Sequence, residues 1–211
     1  MSRKGFTLAE ILLTLTVIGV VAALTIPSLL QNTQQSEFKT ALKRSYADLS
    51  QATLMIKNDN AGLKNVFTGS NVMKNIYGNY ISYITSCNSC TYDGSVGCNC
   101  WHDNGKFYRL NGTSPTDWGG AGLIATNGYL VRLSDAKSDC SSAFGTLTRC
   151  GVIYVDVNGF KNPNTIGKDI FAFIITEDGL KPYGVDGSPA GYSVCTPASD
   201  GQGCTAVYLY Q

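Results

Sequence analysis

The chain begins with a polarity pattern that changes abruptly. Arg3 and Lys4 precede Gly5, and Phe6 opens an apolar run that only Glu10 interrupts with a charge. No charged residue occurs from Ile11 to Ser36. More than twenty residues at about 1.5 Å each give a helix of roughly 30 Å or more, enough to cross the hydrocarbon core of a bilayer. The two basic residues predict a cytoplasmic start, which sends the rest of the chain outward. From Gln31 to about Asn58 the pattern becomes periodic. Phe38, Ala41, Leu42, Tyr46, Leu49, Ala52, Met55 and Ile56 recur at three- and four-residue steps between charged positions. That spacing predicts an amphipathic continuation of the same helix, and such a helix needs a sheet to cover. Asn58-Asp59-Asn60-Ala61-Gly62 supplies the turn formers and glycine that end it.

Downstream, Val72, Ile76, Tyr80 and Ile84 are four apart and predict a short helix starting near Ser70, weakened by Gly78. Lys106–Leu110 alternates and predicts a strand. Leu123–Thr126 and Tyr129–Leu133 flank Asn127-Gly128 and predict a hairpin with a two-residue turn. The clearest strands are 151–157 and 169–176, predicted at the centre of an antiparallel sheet. Val207–Tyr210 alternates and predicts a last short strand. The fold class is therefore α+β: one long N-terminal helix on an antiparallel sheet.

Composition narrows the picture. Net charge is only +1 over 211 residues, which excludes nucleic-acid binding by bulk electrostatics. Charged residues make up 15% and there are 23 glycines, as suits a loop-rich domain with strands. All eight cysteines follow residue 86. An outward-facing domain places those thiols in an oxidising space. Cys87, Cys90, Cys98 and Cys100 invite a zinc reading, but the Cys98-x-Cys100 spacing is poor for it, so disulfides are preferred. Their connectivity stays open. Cys140 and Cys150 bracket a polar excursion that a disulfide would staple, and Cys195 and Cys204 close a second span. His102 is the lone histidine and reads as a surface-loop residue, since no nucleophile elbow or oxyanion loop accompanies it. Asp156, Asn158, Asn164 and Asp169 carry oxygens suited to Ca²⁺. Their spacing is not that of an EF-hand, so a loop whose side chains bond their own backbone is preferred.

The stretch K-G-F-T-L-A-E followed by a long apolar run resembles the N-terminus of type IV pilins and the pseudopilins of type II secretion. The resemblance covers about 25 residues. It implies cleavage after Gly5 by a membrane prepilin peptidase and methylation of the new N-terminus, Phe6. Ala9 departs from the isoleucine or valine common there, without consequence for helix or hydrophobicity. Loss of Arg3 and Lys4 would leave 14 basic against 15 acidic residues. The family's glutamate maps to Glu10. A carboxylate in an apolar span costs about 2.5 kcal/mol or more, so a partner is expected. The Phe6 amine of an adjoining subunit would supply one. Pro27 falls where many family members carry proline. Gly19 and Pro27 predict a kink or local melting. In pilins a C-terminal disulfide often bounds a variable surface loop, and Cys195-Cys204 matches in position.

The expected organisation is a leader at 1–5, a transmembrane and assembly helix at 6–30, its amphipathic continuation at 31–60, and a β-rich extracytoplasmic head at 61–211. The expected function is structural rather than enzymatic, with no cofactor. The chain would be a subunit of a pilus-like filament anchored first in the bacterial inner membrane. Its partners would be other pilins, the peptidase and the assembly machinery. A type II secretion pseudopilin is the alternative. A monomeric membrane-anchored binding domain is the alternative from another class.

Overall fold

The computed structural model describes residues 5, 7–90, 99–102, 106–115 and 119–210. The chain divides into two units, Met1–Glu37 and Phe38–Gln211. Helix α1 spans Leu8–Asp59 and contributes to both.

In the first unit no described residue of α1 is buried. Leu12, Leu13, Leu15, Ile18, Leu24 and Leu29 are each more than half exposed. The helix runs unbroken through Gly19 and Pro27. Threonine and serine hydroxyls in the span bond back to carbonyls one turn earlier, as Thr16 Oγ1 does to Leu12 O at 2.7 Å and Thr25 Oγ1 to Val21 O at 2.9 Å. Such back-bonding removes their polarity from an apolar surround.

In the second unit α1 buries Leu42, Ser45, Leu49, Ala52, Thr53 and Ile56. Met55, placed on the stripe by spacing, is instead 44% exposed. Ser45 and Thr53 take the buried positions because their hydroxyls are satisfied locally. Ser45 Oγ donates to Leu42 O at 3.0 Å and Thr53 Oγ1 to Leu49 O at 2.7 Å. The Thr53 hydroxyl also meets the buried Tyr77 hydroxyl at 2.7 Å. The helix ends with Ala61 in the left-handed region at φ 53°, and the Gly62 N–H reaches back to Lys57 O at 2.8 Å, a Schellman closure.

Helix α2 (Ser70–Gly78) leads into a six-stranded, wholly antiparallel sheet. Its strands are β1 (Tyr83–Cys90), β2 (Gly120–Ala125), β3 (Leu130–Ser134), β6 (Gly151–Asp156), β7 (Ile170–Thr176) and β8 (Gly179–Pro182), in that spatial order. Strands β4 (Ser142–Phe144) and β5 (Leu147–Arg149) form a separate hairpin. β6 and β7 are buried at every position, which explains why they read as continuous apolar runs. Ile153, Val155, Phe171 and Phe173 share a core with Leu42, Leu49 and Ile56 of α1. Val152, Tyr154, Ile170 and Ile174 belong to a second core with Trp101, Phe107, Phe144 and Tyr183. The head is thus a three-layer structure: helix, sheet, and a cover of loops with the β4–β5 hairpin.

Several predicted elements are corrected. The β2–β3 turn holds three residues, not two: Ala125 N–H bonds Tyr129 O at 3.0 Å, Gly128 N–H bonds Ala125 O at 2.9 Å, and Gly128 sits at φ 91°. Lys106–Leu110 is not a strand. Tyr108 makes one parallel bridge to Thr165, and the fully buried Phe107 spends its ring on the outer core. Val207–Tyr210 is not a strand either but the end of helix α3 (Cys204–Tyr210). Four residues cannot distinguish the two periods. Their environment decides: Ala206 N–H bonds Tyr183 O just past β8, and Tyr208 stands edge-on to Phe171 under the Lys39 ammonium.

Candidate functional site

The first turn of α1 carries the candidate assembly residue. Thr7 is the N-cap, and Glu10 stands three residues later. Thr7 N–H donates to Glu10 Oε2 at 2.8 Å, and Glu10 N–H donates to Thr7 Oγ1 at 3.3 Å. The Thr7 hydroxyl also reaches Glu10 Oε2, at 2.9 Å. This is a reciprocal capping box, which satisfies two donors that a helix start would otherwise leave bare. Its signature, Thr-x-x-Glu before an apolar run, stands in the sequence as T-L-A-E, and the sequence reading passed over it. Glu10 is exposed on an exposed helix, a favourable place for an anion beside the positive end of the helix dipole. Gly5 is exposed as well; Phe6 lies outside the described residues.

Among the described residues α1 is the one helix long and apolar enough to cross a membrane. Its most apolar 18-residue window has a mean hydropathy of 2.3 and no buried residue. Together with the motif, that points to membrane anchoring.

Six of the eight cysteines are placed as disulfides. Cys87 of β1 is joined to Cys100, Cys140 to Cys150, and Cys195 to Cys204 at the start of α3. Cys98 and the Cys90 side chain lie outside the described residues. Among the described residues no group of three or more His, Cys, Asp or Glu side chains gathers as a metal site.

His102 is corrected: it is not a surface-loop residue. Its side chain is 3% exposed, and Nε2 lies 2.7 Å from Oδ2 of the fully buried Asp156. Trp101, Phe107 and Phe160 surround its ring. A separation of 54 residues left no local signal for this pair. The same region brings Asp156 and Asp169 together, because Asp156 pairs with Ile170 across β6 and β7. Asp156 Oδ1 accepts the Asn158 N–H at 3.1 Å. Asp169 accepts the Asn164 N–H at 2.8 Å and the Thr165 N–H at 2.6 Å. Burial pushes the Asp156 carboxyl up to about 8 against the pull of the Asn158 and Gly159 N–H groups. Burial, then the neighbouring Asp156 charge, pushes Asp169 up to about 7.

Residues 1–26 match the family model described as the prokaryotic N-terminal methylation motif. No curated protein and no solved structure matches the chain. The match spans the basic leader, Gly5, Phe6, the capping box and the apolar run, on a helix that leads into an α+β head with disulfides. The chain therefore carries the signature of type IV pilins and pseudopilins, on a pilin-like architecture.

Proposed function

We propose that the protein is a structural subunit of a type IV pilus-like filament. It is inserted with Arg3 and Lys4 on the cytoplasmic side, cut after Gly5 by a prepilin peptidase, and methylated at Phe6. The helix then leaves the membrane and packs among copies of itself or related pilins. Glu10 of one subunit neutralises the Phe6 amine of another. An unpaired charge buried among apolar helices is far costlier than a paired one, so the pairing favours the correct axial register. The observation that carries this reading is the methylation motif on an apolar span with no buried residue in its core window.

The head has no role in this step beyond its attachment. Its three described disulfides and two-sided core suit a domain exposed to the environment, which favours a pilus over a periplasmic pseudopilus. Mass spectrometry of the protein from its native membrane tests the proposal. The expected mass lacks residues 1–5 and carries one added methyl group. An uncut chain would overturn it. Loss of surface filaments on deletion supports the pilus, whereas loss of protein secretion with no filament defect supports the pseudopilus.

A further inference from the structure

The head has two ends along α1, and side-chain contacts order β7 between them. Phe171, at the start of β7, meets Tyr208 edge-on with ring centroids 6.0 Å apart, and Lys39 Nζ lies 5.3 Å from that same tyrosine ring. Tyr46 stacks on Phe173 at 5.5 Å. Just past the strand, Lys57 Nζ donates to Asp178 O at 3.4 Å, and Lys64 Nζ pairs with Glu177 Oε1 at 3.0 Å. β7 therefore runs with α1, from the helix's entry into the head to its end. Asp156 at the end of β6 pairs with Ile170 at the start of β7, so the connection between these strands leaves the sheet at the entry end.

That end is basic and aromatic. The connection carries Phe160, 51% exposed, with exposed Lys161 and Lys168. It holds no acid between Asp156 and Asp169, and those two carboxyls are buried. On α1 the entry turns set Lys39, Lys43 and Arg44 against Glu37. Tyr210, 67% exposed, ends α3 two residues past Tyr208. Among the described residues Lys43, Lys161 and Lys168 form no ion pair. At the far end the cations are matched, Lys64 by Glu177 and Lys181 by Asp178.

Chain connectivity keeps the entry end near lipid. Leu30 is the last apolar residue of the span, and nine residues of helix, about 13 Å, lead from it to Lys39. A headgroup layer takes up roughly 5–7 Å of that length. What remains is about one Debye length at physiological salt, so an anionic surface still acts on these lysines.

We propose that the entry end of the head, through Lys39, Lys43, Phe160, Lys161, Lys168 and Tyr210, docks on anionic phospholipid headgroups while the chain is anchored. The lysines supply the charge, and Phe160 and Tyr210 set their rings at the boundary between headgroup and acyl chain. The docking rests on the reading of α1 as a membrane anchor. That tether makes each contact intramolecular, so weak individual contacts suffice.

The test uses the full chain in vesicles of equal parts phosphatidylcholine and phosphatidylglycerol, with non-ionic detergent micelles as the reference. Flotation checks the anchor. Limited acetylation, read peptide by peptide in a mass spectrometer, then gives a rate for each lysine. Lys43, Lys161 and Lys168 should react roughly fivefold more slowly in the vesicles. Lys64 and Lys137 should keep their rates, since the Asn65 N–H to Ser138 O bond holds both at the far end. High salt, or phosphatidylcholine alone, should remove most of the protection. Phe160→Ser combined with Lys161→Gln, both at exposed positions, should return the Lys168 rate toward its micelle value. Equal rates at the two ends of a floated chain overturn the docking and leave the anchor standing. A chain that does not float overturns the anchor and the docking with it. Protection found in sheared filaments but absent from vesicles assigns this end to a neighbouring subunit and also overturns the proposal.

Discussion

The two halves of α1 share leucines that meet opposite fates. Leu24 in the lower half is 74% exposed, whereas Leu49 in the upper half is wholly buried. Both sit in regular helix. The difference is not propensity but cover: the upper half has β6, β7 and α2 to pack against, whereas no described residue of the lower half is buried. The upper half accordingly alternates polar and apolar faces. The lower half is apolar all round, the composition expected of a helix whose surroundings are lipid or other helices. One continuous element thus carries a segment that folds with the head and a segment suited to membrane anchoring.

The largest test of that separation is all or none. Gly5→Ala should abolish trimming and leave the precursor as the only species in a mass spectrum, while the head folds unchanged. A trimmed product from this variant removes the processing assignment. Next in size is a matched pair. Leu49→Ala should cost the head about 2–5 kcal/mol, as for other buried leucines. Leu24→Ala should stay within about 0.5 kcal/mol. Denaturant melts of the detergent-solubilised chain, followed by near-ultraviolet circular dichroism, measure both. Equal losses would erase the distinction between the halves.

A smaller and more specific effect is expected at Glu10. Glu10→Ala should be trimmed normally yet yield few filaments, and Thr7→Ala should give a milder defect, because it removes the cap at about 1 kcal/mol but keeps the carboxylate. Filament yield after shearing reads out both. Wild-type yield from Glu10→Ala would dismiss charge pairing. The smallest effect lies on the far side of the sheet. Burial pushes the Tyr154 hydroxyl from its ordinary 10.0 up to about 12, partly opposed by the nearby Arg132. The folded state therefore keeps a proton that the unfolded chain releases at lower pH. That stability is fully present below pH 10.0 and is lost as pH rises toward about 12. Tyr154→Phe should flatten the alkaline fall in unfolding midpoint; an unchanged slope would mean other groups govern it.

The long helix, the β2–β3 hairpin, and β6 and β7 were legible because their signals are local. A 26-residue stretch without charge, an Asn-Gly dipeptide and two apolar runs each announce themselves within their own span. The motif at Gly5 and Glu10 was equally local. What escaped depends on distant partners. His102 looked solvent-bound because its partner Asp156 is 54 residues away. Ser45 and Thr53 do not figure in the apolar stripe, because their satisfaction by Leu42 O and Leu49 O shows only in helical geometry. Val207–Tyr210 looked like a strand because alternation over four residues fits either period, and only Phe171, Lys39 and Tyr183 settle it. The Thr7–Glu10 capping box was the exception, a local signal overlooked in favour of the carboxylate's charge.

Thr7 and Glu10 both lie beyond Gly5, so a cut at that glycine leaves their reciprocal bonds intact. The rod would enter and leave the peptidase with the same opening coil. What such a cut would alter is electrical: two cationic side chains would depart, and an amine would come to rest one residue ahead of Thr7. Maturation on this reading would be a relabelling of a finished first turn, and any machinery that tells old from new would have to read the label.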